Sequence, residues 1–283
     1  MNTTIDDKLS TLQTLLKAAG RVAVAWSGGV DSTFLLKTAL DTLGAVNVLA
    51  VIGDSESLPR SDLAEALRLA ATWHVQCEVI TSGEMADPRY VANSPERCYF
   101  CKQALFREIR LAAGQHGFTV IVDGTNADDS GDRRPGRRAA REHGVRSPLL
   151  EAGLTKTEIR ELSRRLALPT TDKPAQACLA SRLPYGTPVT REALTQIEAA
   201  EIFLHELGFS QVRVRHHGEV ARLELLPEEL PRLADPELRR RIDARLKALG
   251  YRYVSADLKG YRTGSMNESL AAGAPAAPAL AER

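Results

Sequence analysis

An apolar run, Val22-Ala23-Val24-Ala25, leads straight into Trp26-Ser27-Gly28-Gly29-Val30-Asp31-Ser32-Thr33, and a helical pattern leaves through Phe34, Leu35, Leu36 and Leu40. A strand that stops at two glycines and restarts as a helix makes an anion cradle. The glycines let backbone N–H groups approach an anion closely, and the unpaired N–H groups of a helix starting near Asp31 add the positive end of its dipole. Ser27, Ser32 and Thr33 supply hydroxyls to the same concavity. The loop contains no lysine and lacks the G-x-x-x-x-G-K-[ST] spacing, so it is not the loop that positions a γ-phosphate for transfer.

The same rhythm continues downstream. A helix over 6–19, stopped by Gly20, precedes the first strand; Val46–Ile52 reads as a buried parallel strand, 60–73 as a helix, Val75–Ile80 as a third strand, a stretch near 101–113 as a helix and Phe118–Val122 as a fourth strand. This alternation predicts an α/β fold, a doubly wound parallel sheet, with the glycine loop at the carboxyl end of its first strand, the edge where such sheets bind ligands. Asp54 and Ser55 follow the second strand, and Gly124-Thr125-Asn126-Ala127-Asp128-Asp129 follows the fourth. Residues 130–146 carry Arg133, Arg134, Arg137, Arg138, Arg141 and Arg146 without an apolar face and are expected to form a mobile loop, either solvated or a lid for an anionic substrate. A helix over 155–167, with Thr155 and Glu158 spaced as a capping box, closes a first domain of about 1–170. Beyond Pro169 and Pro174, a helix over 190–207, a hairpin around His217-Gly218, a helix over 236–249 and a strand at Tyr251–Ser255 predict a smaller α+β domain over 171–268, with an Ala/Pro-rich disordered tail at 269–283.

Thirty-seven Lys and Arg balance 36 Asp and Glu, so no overall field argues for nucleic acid or membrane partners. The polar start MNTTIDDKLS is unlike a signal peptide and no apolar stretch reaches membrane-span length, which predicts a cytoplasmic protein. In that compartment four cysteines are not expected to form structural disulfides. Cys77 lies among Val75, Val79 and Ile80 and reads as an inert thiol. Cys98 and Cys101 stand beside Arg97 and Lys102 on a loop entering a helix, features that favour thiolates, whether as ligands or nucleophiles. Cys178 lies outside any apolar pattern, before Ser181-Arg182-Leu183-Pro184-Tyr185-Gly186. Arg213 and Arg215 share one face of a strand and suit a substrate phosphate; Arg182, Ser181 and Lys259 are lesser candidates of that kind. Glu198 and Glu201 suit acid–base work, and equally the exposed face of the 190–207 helix.

The Ser-Gly-Gly-Val-Asp-Ser-Thr string resembles the PP-loop of the ATP pyrophosphatases, and Gly-Thr-Asn-x-Asp-Asp resembles their second nucleotide-contact segment. Together with Glu-Arg-Cys-Tyr-x-Cys-Lys, Pro-Ala-x-Ala-Cys-Leu-Ala-Ser-Arg-x-x-Tyr-Gly, Val-Arg-His-His-Gly and Asp-Leu-Lys-Gly-Tyr-Arg-x-Gly-Ser-Met-Asn-Glu, the chain from about 20 to 268 resembles the LarE family. The resemblance implies an ATP-dependent sulfurtransferase that releases AMP and pyrophosphate. Its substrate is a nucleotide-like small molecule, pyridinium biscarboxylic acid mononucleotide, whose carboxylates become thiocarboxylates in nickel-pincer nucleotide biosynthesis. It also implies partner enzymes of that pathway and an assembly of like chains.

On this reading Ser27, Gly28, Gly29, Asp31, Ser32, Thr33, Asp54, Ser55, Gly124 and Thr125 bind ATP, Asp128 helps hold Mg²⁺, and Arg182, Arg213 and Arg215 bind substrate. Cys178 attacks the adenylated carboxylate. Having Cys98 and Cys101 as well matches the three-cysteine branch of the family, in which a 4Fe-4S cluster on Cys98, Cys101 and Cys178 delivers sulfide. The alternative is sacrificial: Cys178 gives up its own sulfur and becomes dehydroalanine. A PP-loop tRNA thiolase and a non-catalytic nucleotide-binding iron–sulfur sensor are the rival readings; the first calls for a basic stripe that the sequence lacks outside one loop.

Overall fold

The computed structural model describes residues 4–131, 135–174 and 177–262. The chain forms two compact units, one of Met1–Asp87 with Glu96–Gln176 and the other of Pro88–Pro95 with Ala177–Arg283. The sequence suggested one boundary near 170, but the short segment Pro88–Pro95 also belongs with the C-terminal half. The expected tail at 269–283, the Gly264–Glu268 part of the last motif, and Arg133 and Arg134 lie outside the described residues. No helix among the described residues is long and apolar enough to cross a membrane.

The first unit runs α1 (Ile5–Ala19), β1 (Val22–Ala25), α2 (Val30–Leu43), β2 (Val48–Asp54), α3 (Arg60–Thr72) and β3 (Gln76–Thr81). After the single turn α4 (Pro88–Val91), which belongs to the second unit, it resumes with α5 (Arg97–Gln115), β4 (Val120–Asp123), α6 (Pro135–Glu142), α7 (Pro148–Glu151) and α8 (Lys156–Arg165). The four strands are all parallel in the order β3-β2-β1-β4. The chain therefore steps outward from β1 to β3 and returns to the other side of β1 for β4. The carboxyl ends of β1 and β4 flank the reversal point at which open α/β sheets take ligands.

Strand residues alternate between two cores, as a side-chain period of two requires. Val22, Val24, Val48, Ala50 and Ile52 pack with Leu12, Leu16, Phe34 and Ile159. Ala23, Leu49, Val51 and Ile121 pack with Phe106, Ile109, Ala139 and Ala140. Both faces are covered, which explains why these strands read as continuous apolar runs.

Two expectations are corrected in this unit. The third connecting helix begins at Arg97, itself buried, so Cys98 and Cys101 stand within α5 and not on a loop before it. Residues 135–142, expected to be part of a mobile loop, form α6, which packs on α5 through the buried Ala139 and Ala140. A face made of two alanines among arginines is too small to register as amphipathic in the sequence.

The second unit contains α9 (Arg191–Glu206), β5 (Val212–His217), β6 (Val220–Leu225), α10 (Pro236–Ala248) and β7 (Tyr253–Ala256). This is the α-β-β-α-β order read from the sequence, with β5 and β6 antiparallel and β7 parallel to β6. Its core gathers Leu204, Phe209, Val212, Val214, Leu223, Leu225 and Leu246. Pro88–Pro95 joins it through Asn93, buried in the left-handed region at φ 53°, where Asn is among the residues that tolerate the conformation. The Asn93 amide donates to the carbonyls of Pro184 (2.8 Å) and Thr187 (2.7 Å), and the Val189 N–H donates to Val91 (2.9 Å).

Candidate active site

The glycine loop leads into a helix N-terminus that no side chain caps. In α1 and α8 the first-turn N–H groups are served by capping boxes from Thr4 with Asp7 and from Thr155 with Glu158. In α2 the capping position is Gly29, which supplies no side chain, so the first-turn donors face the loop. Gly28 sits at φ +71°, a conformation that needs glycine, and a side chain there would contact Ala66. Ser32 Oγ accepts from the Ser27 N–H (3.2 Å) and lies 3.0 Å from Ser27 Oγ, fixing the curl of the loop. Thr33 is fully buried and its hydroxyl accepts from the Trp26 indole at 2.9 Å, so it braces the loop against the core.

Two lysines that the sequence reading missed stand at this loop. Lys156 Nζ lies 2.6 Å from Asp31 Oδ2, while its backbone N–H donates to Asp128 Oδ2 at 2.8 Å. Among the described residues Asp31 Oδ1 is buried with no hydrogen-bond partner. Lys173 bridges Asp62 (3.0 Å), Glu65 (2.7 Å) and the Gly28 carbonyl (3.4 Å). Burial would lower the Lys173 pKa, but the hydrogen bonds to Glu65 and Asp62 outweigh it and hold the ammonium above the ordinary lysine range. Neither lysine belongs to a local motif; each reaches the loop only through the fold.

The neighbouring strand ends are braced as well. Register places Asp123 beside Ala25, and Asp123 accepts from Ser147 Oγ (2.8 Å) and from the Thr125 N–H (3.2 Å) and hydroxyl (3.0 Å). Gly124 packs directly on the first turn of α2. Asp54 pairs with Arg60, whose guanidinium also holds the Ser55 and Leu58 carbonyls. Ser55 and Ser82 donate their hydroxyls to Glu84, a carboxylate with no exposed surface.

Cys98 and Cys101 are three residues apart on α5, so they share one face of its first turns, where the helix dipole favours thiolate. Cys98 is exposed and Cys101 half-buried. Beside them Arg138 of α6 stacks on the Tyr99 ring at 3.8 Å and pairs with Glu96 at 2.7 Å. Cys77 is half-buried on β3, and burial followed by the Glu78 charge raises its pKa to about 11. Among the described residues no three His, Cys, Asp or Glu side chains gather as a metal site.

In the second unit Cys178 caps a short 3₁₀ turn, Leu179–Arg182, and is half-buried. The turn is held from below by arginines. Arg182, 2% exposed, donates to the carbonyls of Ala177 and Cys178 (3.0 Å for the latter) and is clamped by both oxygens of Glu201 at 2.9 and 2.8 Å. Glu201 also accepts from the Val214 N–H at 2.8 Å, so it faces inward, while its neighbour Ile202 is 45% exposed; the sequence pattern suggested the reverse. Arg215 donates to the Ser181 carbonyl (2.8 Å) and pairs with the fully buried Glu224 (2.8 Å). Arg213 is buried over the Tyr261 ring at 5.5 Å and donates to the Val212 carbonyl at 2.7 Å. Burial, then the neighbouring Arg182 charge, lowers its pKa.

No family model matches the chain. It is 40% identical over 268 residues to the pyridinium-3,5-bisthiocarboxylic acid mononucleotide synthase of Lactiplantibacillus plantarum, covering 94% of this chain and 96% of that one. It is 41% identical over 266 residues to an uncharacterized protein of Synechocystis (94% and 99% covered) and 28% identical over 243 residues to one of Methanocaldococcus jannaschii (86% and 91%). The likeness to the synthase is not confined to the glycine loop but runs through both units, and the chain belongs to the LarE family.

Proposed function

We propose that the chain is an ATP-dependent sulfurtransferase that adenylates the carboxylates of pyridinium-3,5-biscarboxylic acid mononucleotide and converts them to thiocarboxylates. The observation that carries this reading is family membership through a synthase of the bisthiocarboxylic product, joined to an uncapped helix N-terminus at the strand-reversal point. ATP lies with its phosphates over Ser27–Ser32 and between the strand ends bearing Asp54, Ser55, Gly124 and Thr125. Asp31 and Asp128 are the carboxylates offered to Mg²⁺; the Lys156 ammonium pairs with Asp31, and the Lys156 backbone N–H holds Asp128 beside it. Adenylation turns an inert carboxylate into a mixed anhydride with pyrophosphate leaving. The Cys178 thiolate then displaces AMP to give a thioester. Arg213, with Arg182 and Arg215 beside it, supplies positive charge for the substrate phosphate.

Two sources of sulfur divide this proposal. The three thiols suggest a 4Fe-4S cluster on Cys98, Cys101 and Cys178, and the shared helix face of Cys98 and Cys101 suits two ligands. Such a cluster would be held by Cys98, Cys101 and Cys178 and would supply sulfide to the activated carboxylate. The second reading is that Cys178 gives its own sulfur; the two hydrogen-bond donors on its carbonyl favour it. A cytoplasmic location, an assembly of like chains and neighbouring enzymes of the nickel-pincer pathway belong to the same proposal.

The test is nucleotide stoichiometry. Purified protein with ATP, Mg²⁺ and the biscarboxylate mononucleotide should release AMP and pyrophosphate and yield a product with sulfur in place of a carboxylate oxygen. Release of ADP and phosphate contradicts the reading.

A further inference from the structure

We infer that Arg182 and the Ser181 N–H form an oxyanion site for the carbonyl of Cys178, and that they drive the step in which the Cys178 sulfur leaves the protein. The inference rests on the sulfurtransferase reading above, in its Cys178-donor form. The Cys178 carbonyl oxygen accepts from the Ser181 N–H at 2.9 Å and from Arg182 Nη1 at 3.0 Å. The first is the ordinary bond of a 3₁₀ turn. The second is a buried guanidinium whose Nε and Nη2 are fixed by Glu201, and whose Nη1 is shared among the Cys178 and Ala177 carbonyls and the Ser181 hydroxyl. Arg182 needs no such contact to satisfy its charge, since Glu201 already takes two of its N–H groups.

A doubly bonded carbonyl acidifies the adjacent Cα–H. Once Cys178 Sγ carries the acyl group, a general base, water or a carboxylate, removes the Cys178 Cα proton. The electron pair of that C–H bond moves to the carbonyl oxygen as an enolate, where Arg182 and the Ser181 N–H hold it. The enolate collapses, the Cα=Cβ double bond forms, and the Cβ–Sγ bond breaks. The leaving group is the thiocarboxylate of the product, and residue 178 is left as dehydroalanine. No electrons enter or leave the system, so no redox partner is required. Glu201 acts through Arg182 and is a positioning residue.

The test is a single turnover followed by intact mass, with AMP release and thioester formation timed separately from loss of H₂S at residue 178. In Arg182→Lys the thioester should accumulate, its elimination slowed by about 100-fold relative to thioester formation in the same protein, the usual cost of one oxyanion donor. Glu201→Gln keeps a neutral hydrogen-bonding partner and should show a smaller slowing of the same step. Replacing one partner of a buried pair strains the turn, so the double variant Arg182→Met with Glu201→Gln, which orphans no charge, serves as control and should show the Arg182→Lys phenotype. Protein made with cysteine deuterated at Cα should eliminate more slowly than the undeuterated protein. Elimination in Arg182→Lys at the wild-type rate overturns the inference, as does slowing of thioester formation and elimination by the same factor. Product made with Cys178 intact in wild type overturns it while leaving the sulfurtransferase reading in place; absence of AMP and product overturns both.

Discussion

Gly124 rests on Ser32: a Cβ at position 124 would stand 2.8 Å from the Ser32 amide nitrogen and 2.9 Å from its Cα. These are backbone atoms of the first turn of α2, which cannot swing away as a long side chain would. Gly124→Ala should therefore push the β4 loop off the glycine loop. The expected cost is about 1–3 kcal/mol, with a sharp rise in the KM for ATP. Denaturant unfolding and ATP–pyrophosphate exchange on the same preparation check it; an alanine variant with wild-type KM places ATP elsewhere.

Lys173 joins α3 to the glycine loop, and its removal leaves Asp62 buried beside a second carboxylate. Lys173→Met should cost about 1–3 kcal/mol through the unpaired groups and weaken ATP binding through the freed Gly28 carbonyl. Lys173→Arg keeps the charge and should recover most of the stability. Calorimetric titration with a non-hydrolysable ATP analogue separates the two effects.

How much of this was readable in the sequence follows from how local each signal is. The glycine loop, the four parallel strands and the α-β-β-α-β order come from patterns within single elements, and they were readable. The clamp of Arg182 by Glu201 was not, because it joins a 3₁₀ turn to a helix nineteen residues on, and Glu201 fits an exposed helix face equally well on periodicity alone. The ammonium groups of Lys156 and Lys173 leave no local signal for the same reason: they meet Asp31 and Glu65 across more than 100 residues of chain. The basic segment at 135–142 carries no helical signal because its packing face is only Ala139 and Ala140. Asn93 has no motif at all, and its role appears only when the residues around 184–187 fold over it.

Thiol labelling should rank the cysteines by exposure and acidity. The exposed Cys98 at a helix N-terminus should be alkylated early. Cys77, with its pKa raised to about 11 by burial, stays protonated at neutral pH and should react last. Its labelling rate should keep rising with pH and level off only above that value, and Cys77→Ser should leave sulfur transfer intact. Mass spectrometry of peptides after timed alkylation reads the order; early labelling of Cys77 would contradict the structure.

Acid stability of the second unit should depend on Asp257. Burial alone would raise its pKa, but hydrogen bonds from the Lys259 N–H and Arg262 and the charges of Arg262 and Arg222 pull it below the ordinary 3.8. A depressed carboxyl contributes stability that is complete above the unfolded value and is lost as pH falls through the folded one. Wild type should therefore lose stability as pH drops below about 4, and Asp257→Asn should be less stable at neutral pH with a shallower acid slope. Urea unfolding across that range, followed by a probe in the second unit, tests it.

The central claim is that this chain activates a carboxylate with ATP and passes sulfur to it through Cys178. The most direct measurement is product mass from wild type and Cys178→Ala, each incubated anaerobically with ATP, Mg²⁺ and pyridinium-3,5-biscarboxylic acid mononucleotide. Wild type should yield the thiocarboxylate with AMP and pyrophosphate, and Cys178→Ala should yield no sulfur-containing product. Thiocarboxylate formed by Cys178→Ala at the wild-type rate would contradict the account.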